Sequence, residues 1–238
     1  MKPSTIQAIS DKTPDSELVR RVAAQDHEAF RVLMRRHNQM LYRAARSILK
    51  NEAEAEDAVQ EAYLQAYRAM GDFRGDAKVS TWLVRIAVNE AITRLHKQTR
   101  RAEVIRLEGD DSQDLHSSED SMNESSPEQP ERAAVRSETR RLLEAKIDEL
   151  PDAFRTVFVL RAVEELTVEE AAVVLDIPEA TVRTRFFRAR GMLRESLSRE
   201  IDLAHGDAFA FAGARCDRII ANVMARLAES GETSRSDA

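Results

Sequence analysis

Asp57 and Glu61 stand one helical turn apart, with Gln60 beside them and Leu64 a further turn along. Two carboxylates at that spacing can serve as an acid/base pair or as half of a metal site. Like charges one turn apart repel, however, and stay solvated unless a partner balances them. The five histidines are scattered, with none close by in sequence, so a metal-ligand set is not assembled locally. A solvated face is the plain alternative. Leu64 points to a third use, because an apolar residue ringed by carboxylates and an amide has the composition of an interface anchor with a polar rim.

A second constellation lies between Ser80 and Arg101. At about 100° per residue, Val84, Ala87, Val88, Ala91 and Leu95 share one side of a helix. Trp82, Ile86, Asn89, Thr93 and His96 share the other, flanked by Arg85 and followed by Lys97, Arg100 and Arg101. A helix with two unlike faces needs two partners. Asn can read a base edge, aromatic rings stack on unpaired bases and cations hold phosphates. Trp82 also has a purely structural use, closing a bundle against the loop Asp72-Phe73-Arg74-Gly75.

The third constellation is cationic. In the segment from Glu179, Val182, Phe186, Ala189, Leu193 and Leu197 fall on one side, and Arg183, Thr184, Arg185, Phe187, Arg188 and Arg190 cover the remainder. Arginine bonds bidentately to guanine edges or phosphate, and threonine or an aromatic packs on a thymine methyl. An amphipathic helix that happens to be rich in arginine would look similar. What precedes it favours DNA: a short helix from Thr167 to Leu175, with Thr167 and Glu170 spaced as a capping box, then a tight Asp176-Ile177-Pro178 turn. Short helix, turn and basic helix is the helix-turn-helix arrangement.

These segments sit in an all-α reading with two small domains. Residues 1–14 are polar and unpatterned, a disordered leader. Residues 15–101 form a bundle of four helices: one opening at Asp15 or Ser16, a longer one after Gln25-Asp26, a third from about Ala53 to Met70 broken by Gly71 and Gly75, and a fourth capped by Ser80 or Thr81. Residues 102–132 are acidic, rich in Ser and poor in large apolar residues, which predicts a flexible linker. Residues 133–199 hold the helix-turn-helix, introduced by one helix with Leu142, Leu143, Ile147 and Leu150 and another with Phe154, Val157, Phe158 and Leu160. Residues 200–238 are an extension with a helix carrying Cys216, Ile219, Ile220, Val223, Met224 and Leu227. That helix either packs back on its own domain or makes a regulatory contact, and a lone cysteine on an apolar helix is more often inert than redox-active.

Composition is consistent with this division. The 238 residues include only 7 Gly and 6 Pro, against 42% hydrophobic and 33% charged residues, a balance that favours helices. Each half is long enough to bury a core of its own. The single cysteine excludes an internal disulfide and fits a reduced cytosol. No apolar run approaches the roughly 20 residues of a membrane helix, so membrane insertion is not expected and the location expected is cytoplasmic. The net charge of −6 is weak evidence against DNA binding, because the acidic linker carries much of it. No nucleophile, metal cluster or phosphate-cradling Gly loop appears, so neither an enzyme nor a cofactor is expected.

The order Asp57-x-x-Gln60-Glu61, Phe73-Arg74-Gly75, Thr81-Trp82-Leu83-x-Arg85-Ile86-Ala87-x-Asn89, then Leu150-Pro151 and Thr181-Val182-Arg183-Thr184-Arg185-Phe186-Phe187-Arg188-Ala189-Arg190 resembles the extracytoplasmic-function (ECF) sigma factors of bacterial RNA polymerase. The resemblance spans about residues 15–101 and 133–199. It implies a transcription initiation factor that binds core RNA polymerase through the beta-prime and beta subunits, recognises minus-35 and minus-10 promoter elements and promotes melting. Asp57, Gln60, Glu61 and Leu64 would then meet the polymerase, with the beta-prime coiled coil as the family's dock for this helix. Phe73, Trp82, Arg85, Asn89 and Thr93 would meet the strand-separated minus-10 element, with a base flipped into a pocket. Arg183, Thr184, Arg185, Phe187 and Arg188 would meet the minus-35 duplex. The acidic linker resembles the segment that threads the polymerase toward the RNA exit path. An anti-sigma factor is implied as a further partner. Two other classes stay open on the residues alone: a stand-alone helix-turn-helix regulator, which leaves the Asp57 face unexplained, and a protein-only adaptor, which leaves Arg183 to Arg190 without a role.

Overall fold

The computed structural model describes residues 12–108, 130–207 and 218–224. Most of the leader, the central part of the acidic segment, and Phe209, Phe211, Cys216 and Leu227 lie outside the described residues. Among the described residues the regular structure is helical, as the sequence predicts.

The first half is four helices: α1 (Asp15–Ala23), α2 (His27–Leu49), α3 (Glu52–Ala69) and α4 (Val79–Glu108). Each start has a local cause. Asp26 accepts from the N–H groups of Glu28 and Ala29 to open α2, and Asn51 accepts from Glu54 N–H to open α3, both satisfying donors that a helix start leaves unpaired. Lys50, in the left-handed region at φ 58°, ends α2. A 3-10 turn at Met70–Asp72 closes α3, and Gly75 takes φ +77° in the loop that follows, a conformation only glycine adopts freely. Helix α4 starts at Val79, ahead of both predicted caps, and runs past Arg101 into the acidic segment. Leu18, Leu33, Leu41, Val84, Ala87 and Val88 are fully buried at the centre of the bundle. His37 is buried between α1 and α2, 3.1 Å from the Asp15 carboxylate. Burial depresses its pKa more than Asp15 raises it, so the ring is neutral at pH 7 and the contact is a hydrogen bond.

The second half comprises α5 (Pro130–Asp148), α6 (Asp152–Phe158) with a π-helical turn at Val159–Val163, α7 (Val168–Leu175) and α8 (Glu179–Asp207). The capping box on α7 is made in full: Thr167 Oγ1 accepts from Glu170 N–H at 3.1 Å and Glu170 Oε2 accepts from Thr167 N–H at 2.8 Å. The Thr167 N–H holds the Glu170 carboxyl below the usual range, with Lys78 assisting and partial burial opposing. Thr167→Ala is expected to destabilise the protein by about 1 kcal/mol, a fall of roughly 2–4 °C in Tm for a unit of this size, measurable by thermal melting at pH 7.

The two halves do not have separate cores of similar weight. Leu160, Leu166 and Val174 join the cluster built by α1 to α4, whereas Val157, Ala171 and Val182 form only a small second cluster. Short helices such as α6 and α7 offer too little apolar area to close a core by themselves, so α6 packs on α2 and α7 on α4. Leu142 and Leu143 stay partly exposed on α5, and of that helix's apolar residues only Ile147 and the following Leu150 turn inward.

Charged side chains line this junction. Arg155, wholly buried, donates through Nε to the carbonyl of Ser47 and through Nη1 to that of Leu150 at 2.9 Å, and its Nη2 meets Asp152 at 2.8 Å. Ser47 lies in the last turn of α2, where carbonyls lack intrahelical partners, so an arginine from the second half caps a helix of the first. Arg46 holds Asp148 bidentately at 2.8 and 3.3 Å, Arg43 meets Glu164 at 3.1 Å, and Lys78 meets Glu170 at 2.9 Å. The compact unit ends at Leu193. In the unit beyond it, residues 218–224 are helical, with Ile219, Ile220, Val223 and Met224 exposed.

Candidate functional site

Three faces carry the residues singled out by the sequence. On α3, Ala55, Ala58, Val59, Ala62, Tyr63 and Ala66 are buried, which turns Asp57, Gln60 and Leu64 outward and leaves Glu61 partly covered. Leu64 is 51% exposed, an apolar side chain in a polar ring. Sequence reasoning missed the residue behind this face, Arg94 of α4. Its Nε meets Glu90 Oε1 at 2.9 Å, its Nη2 donates to the Asp57 carbonyl at 3.3 Å, and its Nη1 lies 3.5 Å from Glu54 and 3.7 Å from the Asp57 carboxylate. The i,i+4 spacing of Glu90 and Arg94 was the available signal.

On α4 Val84, Ala87, Val88 and Ala91 of the predicted core stripe are buried, with Leu83 added to them, while Leu95 is only partly buried. Arg85, Asn89, Thr93 and His96 are exposed. Trp82 and Ile86 are partly buried against the shared core, and Trp82 meets Phe73 with ring centroids 5.2 Å apart and planes tilted by 52°. The Phe73 loop is thereby fixed to the start of α4, the structural use allowed for Trp82, while part of both rings remains accessible. The Thr93 hydroxyl donates to the Asn89 carbonyl at 2.8 Å, which leaves its lone pairs free to accept.

On α8, Val182, Ala189 and Leu193 are buried, and Phe186 stacks on Phe158 at 6.3 Å with Arg161 and Arg190 over its ring at 5.5 and 5.8 Å. The turn before the helix is set by Asp176 at φ 52° and by the Ile177 N–H to Ala172 carbonyl bond. Arg183, Thr184, Phe187 and Arg188 are displayed outward and Arg185 partly so, with Phe187 80% exposed. Arg183 pairs with Glu179 at 2.7 Å; the other arginines of the face keep room to meet an anionic surface. Thr184, Arg185 and Arg188 line a shallow depression with Phe154, Ala180 and Thr181.

The geometry presents a helix-turn-helix with an arginine-rich outer face and two further surfaces, and comparison with known proteins decides the family. Residues 33–101 match sigma-70 region 2, and residues 140–193 match sigma-70 region 4. The RNA polymerase sigma-H factor of Pseudomonas aeruginosa is 36% identical over 77% of this chain and 93% of its own length. The ECF RNA polymerase sigma-E factor of Escherichia coli K12 is 35% identical over 76% and 93%. The chain belongs to the ECF sigma factors. Sigma factors are transcription initiation factors and not a class of enzymes, and the stand-alone regulator is not the favoured reading. As a sigma factor, this protein works with core RNA polymerase and promoter DNA. Among solved structures, CnrH in complex with the cytosolic domain of CnrY is similar at a TM-score of 0.53 and 27% identity, over 77% of this chain and 97% of that one. The sigma factor RpoE of Bartonella quintana, in complex with the anti-sigma factor NepR, shares the fold at a TM-score of 0.54 and 20% identity, over 71% and 96%. Among the described residues, no helix is long and apolar enough to cross a membrane.

Proposed function

We propose that this sigma factor divides its work among the three faces. Asp57, Gln60, Glu61 and Leu64 dock on core polymerase, at the beta-prime subunit. Phe73, Trp82, Arg85, Asn89 and Thr93 hold the strand-separated minus-10 element, and Arg183, Thr184, Arg185, Phe187 and Arg188 read the minus-35 duplex. The observation that carries the reading is the outward display of Leu64 and Phe187, one on the face that carries Asp57, Gln60 and Glu61 and one among arginines. Neither is needed by the core, and the two surroundings suit partners of opposite charge. The role is non-catalytic and cytoplasmic. Flipping a minus-10 base costs a few kcal/mol, which the Phe73 and Trp82 rings with Asn89 would offset by stacking and base-edge hydrogen bonds. An anti-sigma protein is the further partner, the class of protein bound to the structurally similar RpoE.

The test is reconstitution: full-length protein with core polymerase should give promoter-dependent transcripts from a genomic library, and no association with core sinks the assignment. Within that assay, Arg185→Ala should weaken binding of the holoenzyme to minus-35 duplex by about 1–3 kcal/mol and relax specificity at one base pair, read by competition with a mutated-element panel. Uniform weakening across the panel would instead mark Arg185 as a phosphate contact.

A further inference from the structure

We infer that Arg94 is a positioning residue for the polymerase-docking face, acting through Asp57 and tying that face to the DNA helix α4. The inference rests on the assignment of Asp57, Gln60, Glu61 and Leu64 to core polymerase. Its own ground is a chain of contacts crossing between two helices. Gln65 of α3 donates to Glu90 Oε2 at 3.1 Å, Glu90 Oε1 accepts from Arg94 at 2.9 Å, and Arg94 returns to α3 at the carbonyl of Asp57 and at the carboxylates of Asp57 and Glu54.

Each link has a separate physical consequence. Glu90, with its side chain 14% exposed, fixes the guanidinium in one rotamer, and Gln65 fixes Glu90. The bond to the Asp57 carbonyl, in the body of α3, holds the α3 backbone against α4 at the level of the docking face. The carboxylates of Glu54 and Asp57 are one turn apart on α3, and without a cation between them their repulsion would turn both toward solvent in separate directions. Arg94 stands 3.5 and 3.7 Å from them, too far for strong bonds to either, so its effect is to bias the Asp57 carboxylate and not to sequester it. With 62% of its side chain exposed, Asp57 remains available to a partner while its direction is set. A planar fork suits this use, because one group must satisfy a carboxylate, a backbone carbonyl and two further charges at once. Thr93 precedes Arg94 and Asn89 precedes Glu90, so the residues that orient the docking face alternate along α4 with those assigned to the minus-10 strand.

The experiment is a double-mutant cycle on the full chain, reading the Kd for core RNA polymerase. Arg94→Met should weaken core binding about five- to twentyfold, and Arg94→Lys, which keeps the charge and loses the fork, should fall between. In an Asp57→Asn background, which removes the carboxylate and leaves the carbonyl and Glu54 contacts, the further loss with Arg94→Met should be clearly smaller, about two- to threefold. A purely structural arginine gives the same fold-loss in both backgrounds, and that additive result overturns the inference. Should Arg94→Met fail to fold by circular dichroism, Arg94→Gln takes its place in the cycle. Glu61→Lys separates the two levels: if it leaves core binding unchanged, the docking assignment itself is wrong, whereas strong loss with Glu61→Lys and none with Arg94→Met removes the role of Arg94 alone.

Discussion

Replacing Arg155 by methionine should destabilise the protein by about 3 kcal/mol at pH 7, lowering the midpoint of urea unfolding. The side chain is fully buried and its donors serve Ser47, Leu150 and Asp152. Methionine fills much of the volume and removes a buried charge, which on its own would be favourable. It also strips two buried carbonyls of their partner, at about 1–3 kcal/mol each, and this cost exceeds that gain because the aliphatic chain cannot supply a donor. The effect should be local as well as global: amide exchange should quicken at the end of α2 and the start of α6 before it does in α3. Arg46→Ala is the matching control. Arg46 and Asp148 are partly solvated, and pairs of that kind contribute about 0–1 kcal/mol. A midpoint for Arg155→Met no lower than that of Arg46→Ala would show that the junction is held by its apolar contacts and not by the buried arginine.

That junction marks where sequence reading stops. Most of the stripes on α4 and α8, with Leu95 and Phe186 only partly covered, the capping box at Thr167 and the turn at Asp176 are local patterns, set within one or two helical turns, and they fall where periodicity and capping rules put them. The faces left outward followed from the same angles. Contacts between helices distant in the chain have no such signature. Arg155 lies 108 positions from Ser47 and Glu164 lies 121 from Arg43, and on a helical wheel either arginine reads as an ordinary exposed cation. One cue existed for Arg155: it shares a face with Val159, one turn on, which is buried. The expectation of one core per half misled for a related reason. It weighed chain length, whereas α6 and α7 are too short to enclose what they carry, and Leu160, Leu166 and Val174 complete the larger cluster.

The largest functional effect is expected from Glu61→Lys, which should weaken binding to core RNA polymerase at least a hundredfold, about 2.7 kcal/mol, with the fold retained. Three features support the combination. Glu61 makes no hydrogen bond or ion pair with another described residue, so the fold does not depend on it, and lysine propagates a helix about as well as glutamate. Asp57 and Gln60 on the same face set its charge and hydrogen-bonding character, and reversing the sign of the partly covered member places a cation where the partner's own cations must come. Like-charge contact across an interface costs several kcal/mol, more than the loss of one attractive pair. Leu64 separates charge from packing: Leu64→Ala removes the apolar anchor without altering the field, so it should raise the off-rate with little change in on-rate or salt dependence, whereas Glu61→Lys should slow association most at low salt. Surface plasmon resonance of immobilised core against each full-length variant reads both rates. Minus-35 duplex binding, measured separately, should be unchanged by either substitution, since α8 carries its own face. A Glu61→Lys protein that bound core within threefold of the unsubstituted chain would remove α3 from the polymerase interface and leave its exposed leucine and carboxylates to some other partner.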